Sequence, residues 1–108
     1  MKIHLIGQGI NDSETVGQRL LASLSNGLFD KFTAISAFAS QSAVLGVNEI
    51  LQKSDIKNSI FIVGIDQKGT SKEALEALLV IENADISIIH TTTSIIFHPK
   101  IYILEGEI

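Results

Sequence analysis

The chain has 108 residues, 45% of them hydrophobic and 19% charged, with 8 Lys and Arg against 12 Asp and Glu and a formal net charge of −4. This composition suits one packed domain and excludes a disordered tail. It offers no global basic footprint for nucleic acid, and without cysteine there is neither a disulfide framework nor a thiolate zinc site. No apolar run approaches the ~20 residues of a membrane span, and Ile3–Ile6 is too short for a secretory core. A cytoplasmic protein with no membrane partner is expected.

Taken in order, Lys2 to Ile6 reads as a strand and Gly7 to Asp12 as a loop. Ser13 to Ser25 reads as a helix, because Val16, Leu20, Leu21 and Leu24 recur at helical spacing. Asp12 or Ser13 can cap it, and Asn26-Gly27 ends it. Phe32 to Ala39 is a strand of small and apolar residues, expected to be buried on both faces. Ser40 or Ser42 caps a second helix running to about Leu51, with Val44, Leu45, Val47, Ile50 and Leu51 on its apolar side. Asn58 to Ile65 is nearly continuous in apolar residues, as in a central parallel strand.

Thr70-Ser71-Lys72-Glu73 has the form of a capping box and opens a third helix to about Ile81. Ala84 to Thr91 is a fourth strand and Ile95 to Leu104 a fifth. The link between them, Thr91 to Ser94, is so short that an antiparallel final strand pair is expected. Alternating strands and helices predict a single α/β domain over 1–108, with a mostly parallel sheet flanked by helices and right-handed crossovers. Sites in such open sheets lie beyond the carboxyl ends of the strands.

Two glycine-bearing loops follow strands. Gly7-Gln8-Gly9 has the start of a dinucleotide fingerprint, but Asp12 stands where its third glycine belongs and would repel a pyrophosphate. A small-molecule-binding α/β domain is correspondingly unattractive. Gly64 to Ser71 lacks the Gly-Lys-Ser/Thr ending of a P-loop. It is either a plain connection or one wall of an anion site at a helix start. His4 reads as structural. His90 ends the fourth strand; with His98 and a carboxylate it could form a metal site if the last two strands made a hairpin.

The last strand carries the densest chemistry. Side chains alternate along a strand, so His98, Lys100 and Tyr102 share one face while Phe97, Pro99, Ile101 and Ile103 share the other. The second, wholly apolar face is expected to meet the core. The first places an imidazole and an ammonium about 7 Å apart, aimed the same way. Pro99 cannot donate to a ladder, so the strand is at an edge or interrupted there. Imidazole is a nucleophile or general acid near neutral pH, and lysine can neutralise a phosphate oxygen. Together they suit attack on a phosphodiester.

Phe97-His98-Pro99-Lys100-Ile101-Tyr102-Ile103-Leu104 resembles the His-x-Lys signature of the phospholipase D superfamily, in the form found in bacterial restriction endonucleases and helicase-linked defence proteins. Ala34 to Ser40, Ser42-Ala43-Val44, Ile60 to Asp66, Gly69-Thr70-Ser71 and Ala74-Leu75 also resemble that pattern, in the same order, over about residues 30 to 105. The resemblance implies a phospholipase-D-like half domain, with helices on both faces of the sheet, and a metal- and cofactor-independent phosphodiesterase. His98 would form a covalent phosphohistidine and Lys100 would hold the phosphate oxygens. Glu105 stands at the family's aspartate position, five residues after Lys100. Ser36 and Ser40, at the mouth of a buried strand, could line the substrate site.

The Gly-Ser-x-Asn segment that follows in the family is absent, so the chain is expected to be the N-terminal piece of a longer protein and inactive by itself. A homodimer or a second motif in the intact protein would complete the site, and DNA is the expected substrate. The alternative expectation is a non-catalytic module that binds nucleic acid or a partner through a degenerate site.

Overall fold

A computed structural model of the chain describes residues 20, 22–24, 27–66, 70–91 and 99–106. The expected first strand with His4, the Gly7–Asp12 loop, most of the first helix and His98 lie outside these residues. Residues 20 and 22–24 are helical, and Leu24 is buried in the core.

Among the described residues four strands form one sheet: β1 (Lys31–Ser36), β2 (Asn58–Gly64), β3 (Ala84–Ile89) and β4 (Lys100–Glu105). Helix α1 (Gln41–Gln52) joins β1 to β2, and α2 (Lys72–Leu79) joins β2 to β3. The sheet order is β3-β2-β1-β4, with β1, β2 and β3 parallel and β4 antiparallel to β1. The fold is therefore α/β, with a mostly parallel mixed sheet flanked by helices.

Of the two candidate caps, Ser40 rather than Ser42 caps α1, its Oγ accepting from the Ala43 backbone N–H at 3.2 Å. For α2 the cap falls one residue later than the capping-box reading. Ser71, not Thr70, accepts from Ala74 N at 3.1 Å, which leaves Glu73 one position short of the reciprocal box geometry. Thr70 instead forms an isolated parallel bridge with Ala39. That pairing holds it in an extended conformation and its hydroxyl out of capping reach.

Both helices cover one face of the sheet. Val44 and Leu51 of α1 and Ala74, Ala77 and Leu78 of α2 are buried in one cluster with Phe32, Ala34, Phe61 and Val63. The register sets Ala34 beside Phe61 and Ser36 beside Val63, so these strand residues share a face. Two crossovers stepping in the same direction from β1 to β2 to β3 fall on the same side when both are right-handed. On the opposite face Thr33, Ile35, Ile60 and Ile62 are half-buried. The expected burial of β1 on both faces therefore holds fully for one face only. Among the described residues no helix covers that second face.

Two expectations about the last strand need correction. It does not pair with β3 as a hairpin. β3 and β4 are the two edges of the sheet, and the antiparallel partner of β4 is β1. The regular strands end at Ile89 and begin again at Lys100, so the connection is long enough to cross three interstrand spacings, about 14 Å. The side that faces the helices is also the other one, although on β4 Leu104 alone is partly buried and Tyr102 stays 42% exposed. Leu104 pairs with Phe32 and Tyr102 with Ala34, so Lys100, Tyr102 and Leu104 lie on the helix-covered face. Tyr102 stacks on Phe32, with centroids 6.4 Å apart and planes 10° from parallel. Ile101 and Ile103 point to the other face and stay 48% and 41% exposed. Composition favours the isoleucines for the core, but the register to Phe32 decides the matter.

Candidate active site at the carboxyl end of the sheet

The parallel strands β1, β2 and β3 all end at one rim, and β4, running the other way, begins there. Pro99 ends the approach to β4: its carbonyl accepts from Ala37 N at 2.9 Å, and regular pairing starts at Lys100, opposite Ser36. Of the two expectations for Pro99, an edge strand or an interruption, the edge agrees with this geometry, since β4 ends the order of the described strands. Lys100 lies on the helix-covered face but beyond the helices' reach, so it is exposed. Its Nζ sits 5.3 Å from the Phe38 ring centroid, a cation–π distance that fixes the ammonium over the exit of β1.

Ser36 is tied into its own turn. Its Oγ donates to the Phe38 carbonyl at 2.7 Å and accepts from Phe38 N at 3.3 Å. It therefore shapes the segment that carries Phe38, under Lys100. Ser40 is engaged as the α1 cap, with its Oγ 3.4 Å from that of Ser42. The structure thus brings Ser36 and Lys100 together and sets Ser40 just beyond them.

Glu105 is not brought to Lys100. It closes β4 at the far end, about 17 Å away along the strand, and odd separation puts it on the opposite face. There its carboxylate lies 3.9 Å from Lys31 Nζ. His98 lies outside the described residues.

The same rim holds a second constellation. Asp66 follows β2, and His90 and Thr91 follow β3. His90 Nδ1 is 2.6 Å from Asp66 Oδ1. Asp66 Oδ2 accepts from the Thr91 backbone N–H at 2.7 Å and from its hydroxyl at 3.0 Å. The Thr91 backbone hydrogen bond, helped by the Thr91 hydroxyl and His90, holds the Asp66 carboxyl below its usual range against the opposing effect of desolvation. The carboxylate side chain is 24% exposed and the imidazole 61%.

Sequence reasoning named Asp66 and His90 separately and missed the pair. A signal was present, since each is the first ionisable residue after an apolar strand run, on consecutive parallel strands. The register Gly64 to Ile89, extended by the Ile65 N to Ile89 O bond, sets Asp66 beside Thr91.

The concave surfaces lie elsewhere. A cleft of about 180 Å³ lined by Asn48, Lys57, Ser59, Glu82 and Asn83 opens at the amino ends of the strands, where no histidine converges among the described residues. The rim with Lys100, Asp66 and His90 is the chemically equipped end. Among the described residues no group of three or more metal-ligating side chains converges, and no described helix is long and apolar enough to cross a membrane. No protein-family model, curated protein or solved structure matches the chain.

Proposed function

We propose that this chain is a phosphodiesterase domain and that the intact protein cleaves DNA through His98 and Lys100. The supporting observation is the position of Lys100. It opens β4 at the carboxyl end of the parallel strands, where open α/β sheets bind ligands, with its ammonium held over Phe38.

His98, two residues upstream, supplies the nucleophile. An imidazole nitrogen attacks phosphorus, the bond to the leaving oxygen breaks, and that oxygen takes up a proton. Water then cleaves the phosphorus–nitrogen bond of the phosphohistidine. Lys100 neutralises charge growing on the non-bridging oxygens. The chemistry calls for no metal.

The test is nicking of plasmid DNA by the intact protein in excess chelator. His98→Ala and Lys100→Ala are each expected to lose on the order of a thousand-fold. Nicking that requires metal and survives in His98→Ala contradicts the proposal.

A non-catalytic module docking nucleic acid is the second reading. It is favoured by the distance of Glu105 from Lys100 and by its pairing with Lys31. DNA binding without cleavage, unchanged in His98→Ala, would select it.

A further inference from the structure

The amino ends of the strands carry recognition chemistry of a different kind. Both helices run back to this end, and the cleft of about 180 Å³ lies where they finish: Leu51 and Gln52 close α1, and Ile81 follows the α2 cap at Val80. We propose that this cleft is a binding site for a neutral guanine base. The inference stands apart from the phosphodiesterase reading, since it uses neither Lys100 nor any residue of the carboxyl rim.

Three observations carry it. The first is a set of unspent polar groups. Asn48, Gln52, Asn58 and Asn83 line the cleft, and among the described residues their carboxamides form no hydrogen bond. A carboxamide presents two donors and an acceptor, so together they offer both kinds of partner to a ligand. Asn83 is fixed through its backbone, with φ at 56° and its carbonyl accepting from Ser59 N at 3.1 Å.

The second is a separated pair of charges. Lys57 in the α1–β2 connection and Glu82 in the α2–β3 connection both line the cleft. Among the described residues neither forms an ion pair. An ammonium only donates and a carboxylate only accepts. A ligand that satisfies both presents acceptors on one edge and donors on another. Guanine does so within one ring system. Its O6 and N7 are acceptors suited to a lysine, and its N1–H and 2-amino group are donors suited to a carboxylate.

The third is size and field. Leu51 and Ile81 belong to the core and Ile56 packs against it, which gives the cleft an apolar floor for the face of a flat ring. Its volume is several times the ~30 Å³ of one water and below the ~300 Å³ at which drug-sized pockets begin. One heterocycle fits, and a dinucleotide does not. Lys57 balances Glu82, but the carboxyl ends of two helices remain, and they place partial negative charge here. An amino-acid carboxylate or a nucleotide phosphate is disfavoured beside them, and an uncharged base is not.

Guanosine and inosine differ only in the 2-amino group, the group assigned to Glu82. Each is titrated into the intact protein by calorimetry, and the site is mapped by backbone amide NMR shifts. Guanosine is expected to saturate one site, with shifts at Asn48, Asn58, Ser59 and Asn83. It is expected to bind about fivefold or more tighter than inosine, the low end for a good base contact. In Glu82→Gln that preference should shrink to about twofold or less. Glu82 is exposed and unpaired among the described residues, so an unchanged melting temperature in the variant shows that a contact, not the fold, was lost. Guanosine 5′-monophosphate should bind more weakly than guanosine. A guanosine-to-inosine ratio that is the same in wild type and Glu82→Gln overturns the assignment. So does the absence of saturable guanosine binding, a set of shifts confined to another surface, tighter binding of the monophosphate, or displacement of guanosine by equimolar glucose or glycine.

Discussion

Asp66 ties together the ends of two neighbouring strands, and its protonation state sets how firmly. Its pKa is lowered in the folded chain, so its contribution to stability is complete above the unfolded carboxyl value of about 3.8 and is lost as pH falls through the lower folded value. Denaturant melts between about pH 5 and pH 2 should show stability falling on the acid side, and Asp66→Asn should flatten that fall. An unchanged acid limb in the variant would mean that other carboxylates dominate. Gly106 makes a different kind of claim. A Cβ there would run into the Leu28 backbone carbonyl, which cannot rotate aside as a side chain could. Gly106→Ala should therefore cost about 1–3 kcal/mol, read as a drop in melting temperature of about 4–8 °C per kcal/mol. The Leu28–Gly106 approach was not legible in the sequence, and the Asp66–His90 contact left only the faint signal of two ionisable residues following consecutive strands. Both arise between segments far apart in the chain, where no local periodicity carries information.

The helices show which local signals are decisive. Val44, Val47, Ile50 and Leu51 of the α1 stripe were readable because 3.6-residue spacing acts within a few residues, whereas Leu45, expected beside them, is 49% exposed. The start of α2 was misplaced by one residue because the Thr70-x-x-Glu73 spacing fits a capping box, whereas Ser is the better cap by type and Thr70 is engaged in the bridge to Ala39. Ser71→Ala should cost about 1 kcal/mol, a large share for an eight-residue helix. Thr70→Val should behave oppositely. Among the described residues the Thr70 Oγ1 is buried without a hydrogen-bond partner, so a methyl of similar shape should raise stability by up to about 1 kcal/mol. Thermal melts of the two variants check both signs, and a destabilised Thr70→Val would show that the hydroxyl is satisfied after all. The partner of β4 was hidden for a related reason. A short polar run between two strands looks like a hairpin turn, yet the pairing follows the stacking of Tyr102 and Leu104 on the Phe32 side of the core, a long-range term.

Taken as a molecule, the chain is an acidic α/β layer with one chemically equipped rim. The α/β class and mostly parallel sheet were readable because alternating strand and helix periodicities admit few other arrangements. That α1 and α2 lie on the same face was not, since sidedness depends on strand order. With a net charge of −4, the proposed cleavage of DNA calls for binding through local cations such as Lys100. The dependence of log K on log salt should therefore be shallow, and Lys100→Ala should reduce its slope by about 1. A slope unaffected by that change would place the phosphate contact elsewhere. The central claim, a phosphohistidine at His98, is tested most directly by trapping. The intact protein is mixed with a phosphodiester in excess chelator, quenched within the first turnover at alkaline pH, where phosphohistidine survives, and mapped by mass spectrometry. The account predicts an adduct on His98 that is absent in His98→Ala and accumulates in wild type. Turnover with no adduct, or an adduct on another residue such as His90, contradicts it.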